Sequence, residues 1–162
     1  MNPFSPALDE PARTALKATV AGVGFAAFGP EALSESMFAA LRDEAEGQRG
    51  SAWGRAEGQT VDHRHRRANL GPAAKSFLTA PGTLALLAEV AGGRLIPSFE
   101  ASCFTYYDGP NDFLAPHLDR PSACAFTLIV YLSVNWPDGA APGPGLELQV
   151  FAFNAALDRD SA

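Results

Sequence analysis

Apolar residues recur at helical spacing in the first half of the chain and alternate with polar ones in the second. The clearest helical segment opens at Pro30, whose fixed φ suits a first helical position, with Glu31 placed to meet the positive end of the helix dipole. Leu33, Met37, Phe38 and Leu41 then make one apolar stripe, and the helix is expected to end near Gly47. From Gln48 to Asn69 the pattern turns polar, interrupted by Gly50, Gly54 and Gly58, with Trp53 and Val61 as its large apolar residues. Such a stretch predicts a loop holding one short strand. Two short helical pieces follow between Pro72 and Val90, separated at Pro81-Gly82 and closed by the stop signal Gly92-Gly93.

After Gly93 the β-branched and aromatic residues alternate and the turns become rich in Pro and Gly. Strands are expected at about Ile96 to Tyr107, Ala115 to Asp119, Cys124 to Val134 and Leu146 to Phe153, joined by loops at 108–112 and 137–145. Neither an internal repeat nor a domain boundary is visible. The pattern therefore predicts one α+β domain over 1–162, mainly helical over 1–93 and β over 94–162.

Composition narrows the function classes. A chain of 162 residues buries roughly 70% of its unfolded surface, enough for one core. With 47% hydrophobic and 19% charged residues the chain is too apolar and too sparsely charged to stay disordered. Twelve Lys and Arg against 18 Asp and Glu give a net charge of -6, so no overall positive field exists to hold a polyanion, and no nucleic acid partner is expected. Cys103 and Cys124 stand too far apart for a Cys-x-x-Cys knuckle and are too few for a disulfide framework, which fits a reducing, cytoplasmic compartment. The weakly polar stretch Ala18 to Phe28 is far short of the roughly 20 residues a membrane span needs, and Met1 to Arg13 lacks the pattern of a signal peptide. No membrane partner is expected.

The most specific candidate chemistry is His117-Leu118-Asp119. On a strand the two side chains point to one face about 7 Å apart along the backbone, so that an imidazole nitrogen and a carboxylate oxygen can converge on one ion. A facial triad of two histidines and a carboxylate around non-haem Fe(II) uses such a pair plus a distant second His. The pair is bracketed by Tyr106-Tyr107-Asp108-Gly109 before it and by Phe126-Thr127-Leu128-Ile129-Val130-Tyr131-Leu132-Ser133 after it. Thr127, Ile129, Tyr131 and Ser133 share one face, and Phe126, Leu128, Val130 and Leu132 fill the other. The more polar face is expected to line a barrel interior.

In this order of elements, from about Ser98 to Phe153, the chain resembles the Fe(II)/2-oxoglutarate dioxygenases, in particular their prolyl-hydroxylase-like branch. The likeness rests on Phe104 to Gly109, His117 to Asp119, Thr127 to Ser133, Asn135-Trp136-Pro137-Asp138 and the Gly-led run Gly145 to Phe151. It implies a double-stranded β-helix, or jelly-roll, with the N-terminal helices packed on it. It also implies His117 and Asp119 as metal ligands, and Tyr107, Tyr106, Thr127 and Tyr131 as contacts to 2-oxoglutarate, with Tyr107 preferred over Tyr106. Fe(II), 2-oxoglutarate and O2 would be required, with ascorbate as an additive in vitro. The implied reaction is hydroxylation of an unactivated C–H in a small molecule, an amino acid among the candidates, or in a peptidyl residue. Retention of the carboxylate at Asp119 favours hydroxylation over halogenation, because related halogenases carry a small residue there.

In that family a second His and a basic residue follow on later strands. After Phe153 this sequence offers Arg159 and no His, so the jelly-roll of 94–162 is expected to be incomplete, its remaining part supplied by a longer chain or by a second chain. A non-catalytic jelly-roll binding module, or an inactive fragment of such an oxygenase, is the alternative reading. A cupin-like metalloenzyme ranks lower. The run His63-Arg64-His65-Arg66-Arg67 reads as a basic loop near the mouth of the cleft, able to meet an anionic group. His63 and His65 alternate onto one face if that segment is extended, which also makes them candidates for a substituted third ligand.

Overall fold

Helix α1 spans Glu10–Val23 and is defined at both ends by local chemistry. The Asp9 carboxylate accepts a hydrogen bond from the Ala12 N–H at 3.0 Å, and Gly24 closes the helix at φ 84°, where only glycine is unstrained, with its N–H donating to the Val20 carbonyl. The structure, a computed structural model, describes residues 2–54, 63–108, 112–115 and 126–132.

The helix expected to open at Pro30 starts later. Pro30–Ala32 forms a short 3-10 turn, and α2 runs over Glu35–Gln48 behind the Ser34 cap, whose hydroxyl accepts from the Met37 N–H at 3.3 Å. Leu33 is drawn away from the helix because its backbone pairs with Phe4. The Ser34 N–H donates to the Pro3 carbonyl, and the Ser5 N–H to the Ala32 carbonyl, each at 3.0 Å. The two helical pieces after Pro72 are present as α3 (Pro72–Thr79) and α4 (Pro81–Ala91), the latter closed by Gly92 at φ 72°.

The short strand expected in the polar stretch is β1, Arg66–Asn69. It pairs antiparallel with β2, Cys103–Tyr106, in the register Arg66 to Tyr106, Arg67 to Thr105, Ala68 to Phe104 and Asn69 to Cys103. Bridges between Trp53 and Arg67 and between His63 and Leu114 extend this pairing on either side. The long strand expected over Ile96 to Tyr107 shrinks to its last third. Pro97 has no N–H for a ladder, and the Ser102 hydroxyl donates to the Ser98 carbonyl at 2.7 Å, closing a turn before β2 begins.

Residues 126–132 have no regular secondary structure, against the strand expected over Cys124 to Val134. The expected alternation nevertheless holds. Leu128, Val130 and Leu132 pack against the core, while Thr127, Ile129 and Tyr131 are exposed. The strand Leu146 to Phe153, most of the strand Ala115 to Asp119, and Cys124 lie outside the described residues, and Cys103 is half-buried in β2.

One core lies between the helices and one face of the sheet: Leu41 and Ala45 of α2, Ala74 and Phe77 of α3, and Ala68, Phe104 and Tyr106 of the strands. A second joins α1 to α4 through Leu16, Leu86 and Val90, with Phe126 against it. Helix α3 has no side-chain cap of its own at Gly71. Glu44 of α2 caps it instead, its carboxylate accepting from the Ala73 N–H at 2.5 Å and the Ala74 N–H at 2.9 Å. A Cβ at position 71 would lie 2.6 Å from the Glu44 carboxyl carbon, so glycine is what permits this approach. Hydrogen bonds from a charged group and the helix dipole act together here, and Glu44→Ala is expected to cost about 2 kcal/mol. Urea unfolding of the variant measures it, and an unchanged midpoint would show that the contact contributes nothing.

Candidate functional site

Strand alternation divides the two consecutive tyrosines between opposite faces of the sheet. Tyr106 faces the helices, is 5% exposed, and donates its hydroxyl to the Ala45 carbonyl of α2 at 2.7 Å. The Arg49 guanidinium covers its ring at 4.8 Å, and burial pushes its phenol above the ordinary value. Tyr107, 38% exposed, turns to the face away from the helices. Its ring centre lies 5.3 Å from that of His65. Its phenol is raised first by burial and further by Tyr131, Cys103 and Asp112, so it stays protonated and able to donate.

His63 and His65 occupy that same face. The extended backbone that carries them leads into β1 and runs beside 113–114: His63 bridges Leu114, and the Arg64 N–H donates to the Phe113 carbonyl at 2.8 Å. The two imidazole rings are buried, at 8% and 7% exposure, with centres 4.4 Å apart. Burial pulls the His65 imidazole below its ordinary value, and the neighbouring His63 and Arg67 act in the same direction. His65 is therefore neutral near pH 7. The expected basic loop is thus split by the strand. Its histidines go inward, while Arg64 and Arg66 point to solvent.

Arg66 and Arg49 converge on Asp108, just beyond β2. Arg66 donates to Asp108 through Nη2 at 2.6 Å and Nε at 3.1 Å, and Arg49 reaches the other carboxylate oxygen while gripping Glu46 through two bonds of 2.9 Å. Arg66 first, then Arg49, hold the Asp108 carboxyl below the usual range. The Asp108 N–H donates to Asp112 Oδ2 at 2.7 Å. These charges tie α2 to the end of the sheet and so fix where Tyr107 begins the next segment.

His117 and Asp119 lie outside the described residues; Leu114, which pairs with His63, precedes His117 by three positions in the sequence. Thr127 and Tyr131 are on the exposed side of their segment, Tyr131 within electrostatic reach of Tyr107. Among the described residues no group of three or more His, Cys, Asp or Glu is placed to hold a metal ion. Arg67 is the residue that the sequence pattern did not single out by itself. Strand register puts it on the face of His65 and Tyr107, its Nε buried and without a hydrogen-bond partner. Only the phase of the strand, which the sequence left open, distinguishes it from Arg64 and Arg66.

Comparisons of the chain with protein-family models, with curated proteins and with solved structures return no match. No helix among the described residues is long and apolar enough to cross a membrane.

Proposed function

We propose that this protein is an Fe(II)- and 2-oxoglutarate-dependent oxidoreductase that hydroxylates an unactivated C–H in a small molecule or a peptidyl residue, within a jelly-roll carrying the N-terminal helices. The observation that carries the reading is His117-x-Asp119 in its bracket of Tyr106 to Gly109 and Thr127 to Ser133. One nitrogen and one carboxylate oxygen form a donor set suited to Fe(II). The chain is read as cytoplasmic, without a nucleic acid or membrane partner.

A 2-oxoglutarate carboxylate needs hydrogen-bond donors that remain protonated, and the raised phenol of Tyr107 is one, with the exposed Tyr131 within electrostatic reach of it. The Tyr106 hydroxyl already donates its hydrogen bond to the Ala45 carbonyl, which favours Tyr107 as the contact. Thr127 shares the exposed side with Tyr131. His117 and Asp119 would hold the metal. Bound Fe(II) supplies O2 activation coupled to oxidative decarboxylation of 2-oxoglutarate to succinate and CO2. The chain's own task is to orient the cosubstrate and limit water around it, and the apolar side of 126–132, closed against the core, provides one wall for that.

Anaerobic titration of the chain with Fe(II) and 2-oxoglutarate tests the reading. A visible metal-to-ligand charge-transfer band is the expected result. Its absence at saturating 2-oxoglutarate overturns the assignment for this chain and favours the alternative, a non-catalytic jelly-roll binding module or an inactive fragment of such an oxygenase.

A further inference from the structure

We propose that His63 and His65 together bind a divalent transition metal ion through their Nε2 atoms. Their rings lie on one side of an extended segment, with centres 4.4 Å apart and planes inclined at 36°. Two imidazoles bound side by side to one ion, each by a metal–nitrogen bond of about 2.1 Å, carry their ring centres roughly 4.5 Å apart when the angle at the metal is near a right angle. The pair already stands at that separation.

The surrounding backbone also selects a tautomer. His65 Nδ1 faces the Phe113 carbonyl at 3.4 Å, a long hydrogen bond in which only the protonated Nδ1 can donate. That leaves the lone pair on Nε2. A backbone carbonyl behind the ring is the usual support of a ligating histidine, where it fixes ring orientation and raises donor strength. Burial at 8% and 7% exposure holds both rings in place.

The charges around His65 bear on what else the ion would carry. Asp112 acts on the imidazole as a nearby negative charge and Arg67 as a nearby positive one. Arg67, with its buried Nε, favours a negatively charged co-ligand on the metal over a second cation. Among the described residues the two imidazoles are the donors of this site, and water or an added anion would take further positions on the ion. Imidazole nitrogen suits Zn(II), Ni(II), Cu(II) and Fe(II) alike. The inference goes beyond the proposed oxygenase activity and invokes neither His117 nor Asp119.

The chain has three histidines, so in His117→Ala the imidazole C2–H proton resonances belong to His63 and His65 alone. When Zn(II) is added to that variant, both resonances are expected to shift together and to stop shifting after a single equivalent. Resonances that stay in place at excess Zn(II), or one that moves while the other does not, overturn the inference. If His117→Ala does not fold, the near-isosteric His117→Gln gives the same two-imidazole spectrum. No donor is shared with the pair tested by the Fe(II) titration, so the failure of either idea is visible without the other.

Discussion

Asp119→Ala is expected to abolish the charge-transfer band that the unaltered chain develops with Fe(II) and 2-oxoglutarate. The reason lies in the donor count. His117 and Asp119 are the two donors that the sequence motif provides, and deleting the carboxylate leaves one neutral nitrogen to hold a dication that water hydrates strongly. Loss of an outer-shell partner of a metal ligand already costs about 10–100-fold in affinity, so loss of the ligand itself should cost at least that. Far-UV circular dichroism of the variant separates loss of the site from loss of the fold. A band of undiminished intensity in a folded Asp119→Ala chain would show that the iron sits elsewhere, and the role given to the motif would be wrong.

The helical half was legible because its signals are local. Pro72, Pro81 and Gly92 punctuate α3 and α4 where expected, since proline at a helix start and glycine just past its end act within one turn. Pro30 misled for a non-local reason. Its φ suits a helix start, but the backbone of Leu33 is claimed by Phe4, from a segment nearly thirty residues earlier, and α2 waits for Ser34. The Glu44 cap on α3 was equally invisible, because a side chain from another helix does what Gly71 cannot. The described residues mix helix with a two-stranded sheet, while the jelly-roll rests on the sequence resemblance.

For the candidate site, period-two alternation was the reliable guide. It separated Leu128, Val130 and Leu132 from Thr127, Ile129 and Tyr131, although 126–132 forms no ladder, because packing one apolar edge requires only an extended backbone. It also placed His63 with His65. What it could not supply was the phase of β1 relative to β2. That register sends Ala68 and Tyr106 toward the helices and Arg67 and Tyr107 away from them, and it is set by a pairing across almost forty residues. Of the two adjacent tyrosines, one is therefore a core residue and the other a candidate ligand contact, a distinction that no pattern within the dipeptide carries.

Phe77→Ala is expected to destabilise the protein by about 3–5 kcal/mol, the range for truncating a buried aromatic side chain to a methyl group. Phe77 is 3% exposed and lies where α3 meets the core formed by α2 and the two strands. Its ring meets that of Phe4 edge-on, with centres 6.0 Å apart and planes at 68°, a geometry that adds about 0.5–1.5 kcal/mol beyond area burial. Phe4 in turn carries the bridge that determines where α2 begins, so the loss should spread into the N-terminal segment and leave little scope for the cavity to collapse. Against a typical domain stability of about 5–15 kcal/mol, a loss of this size leaves a large unfolded fraction in a protein of low initial stability. Phe77→Leu keeps most of the volume and should cost under about 1.5 kcal/mol. Urea unfolding of both variants distinguishes the cases: the midpoint should fall far more for alanine than for leucine, at an unchanged slope. Equal small shifts would mean that α3 does not pack on this core.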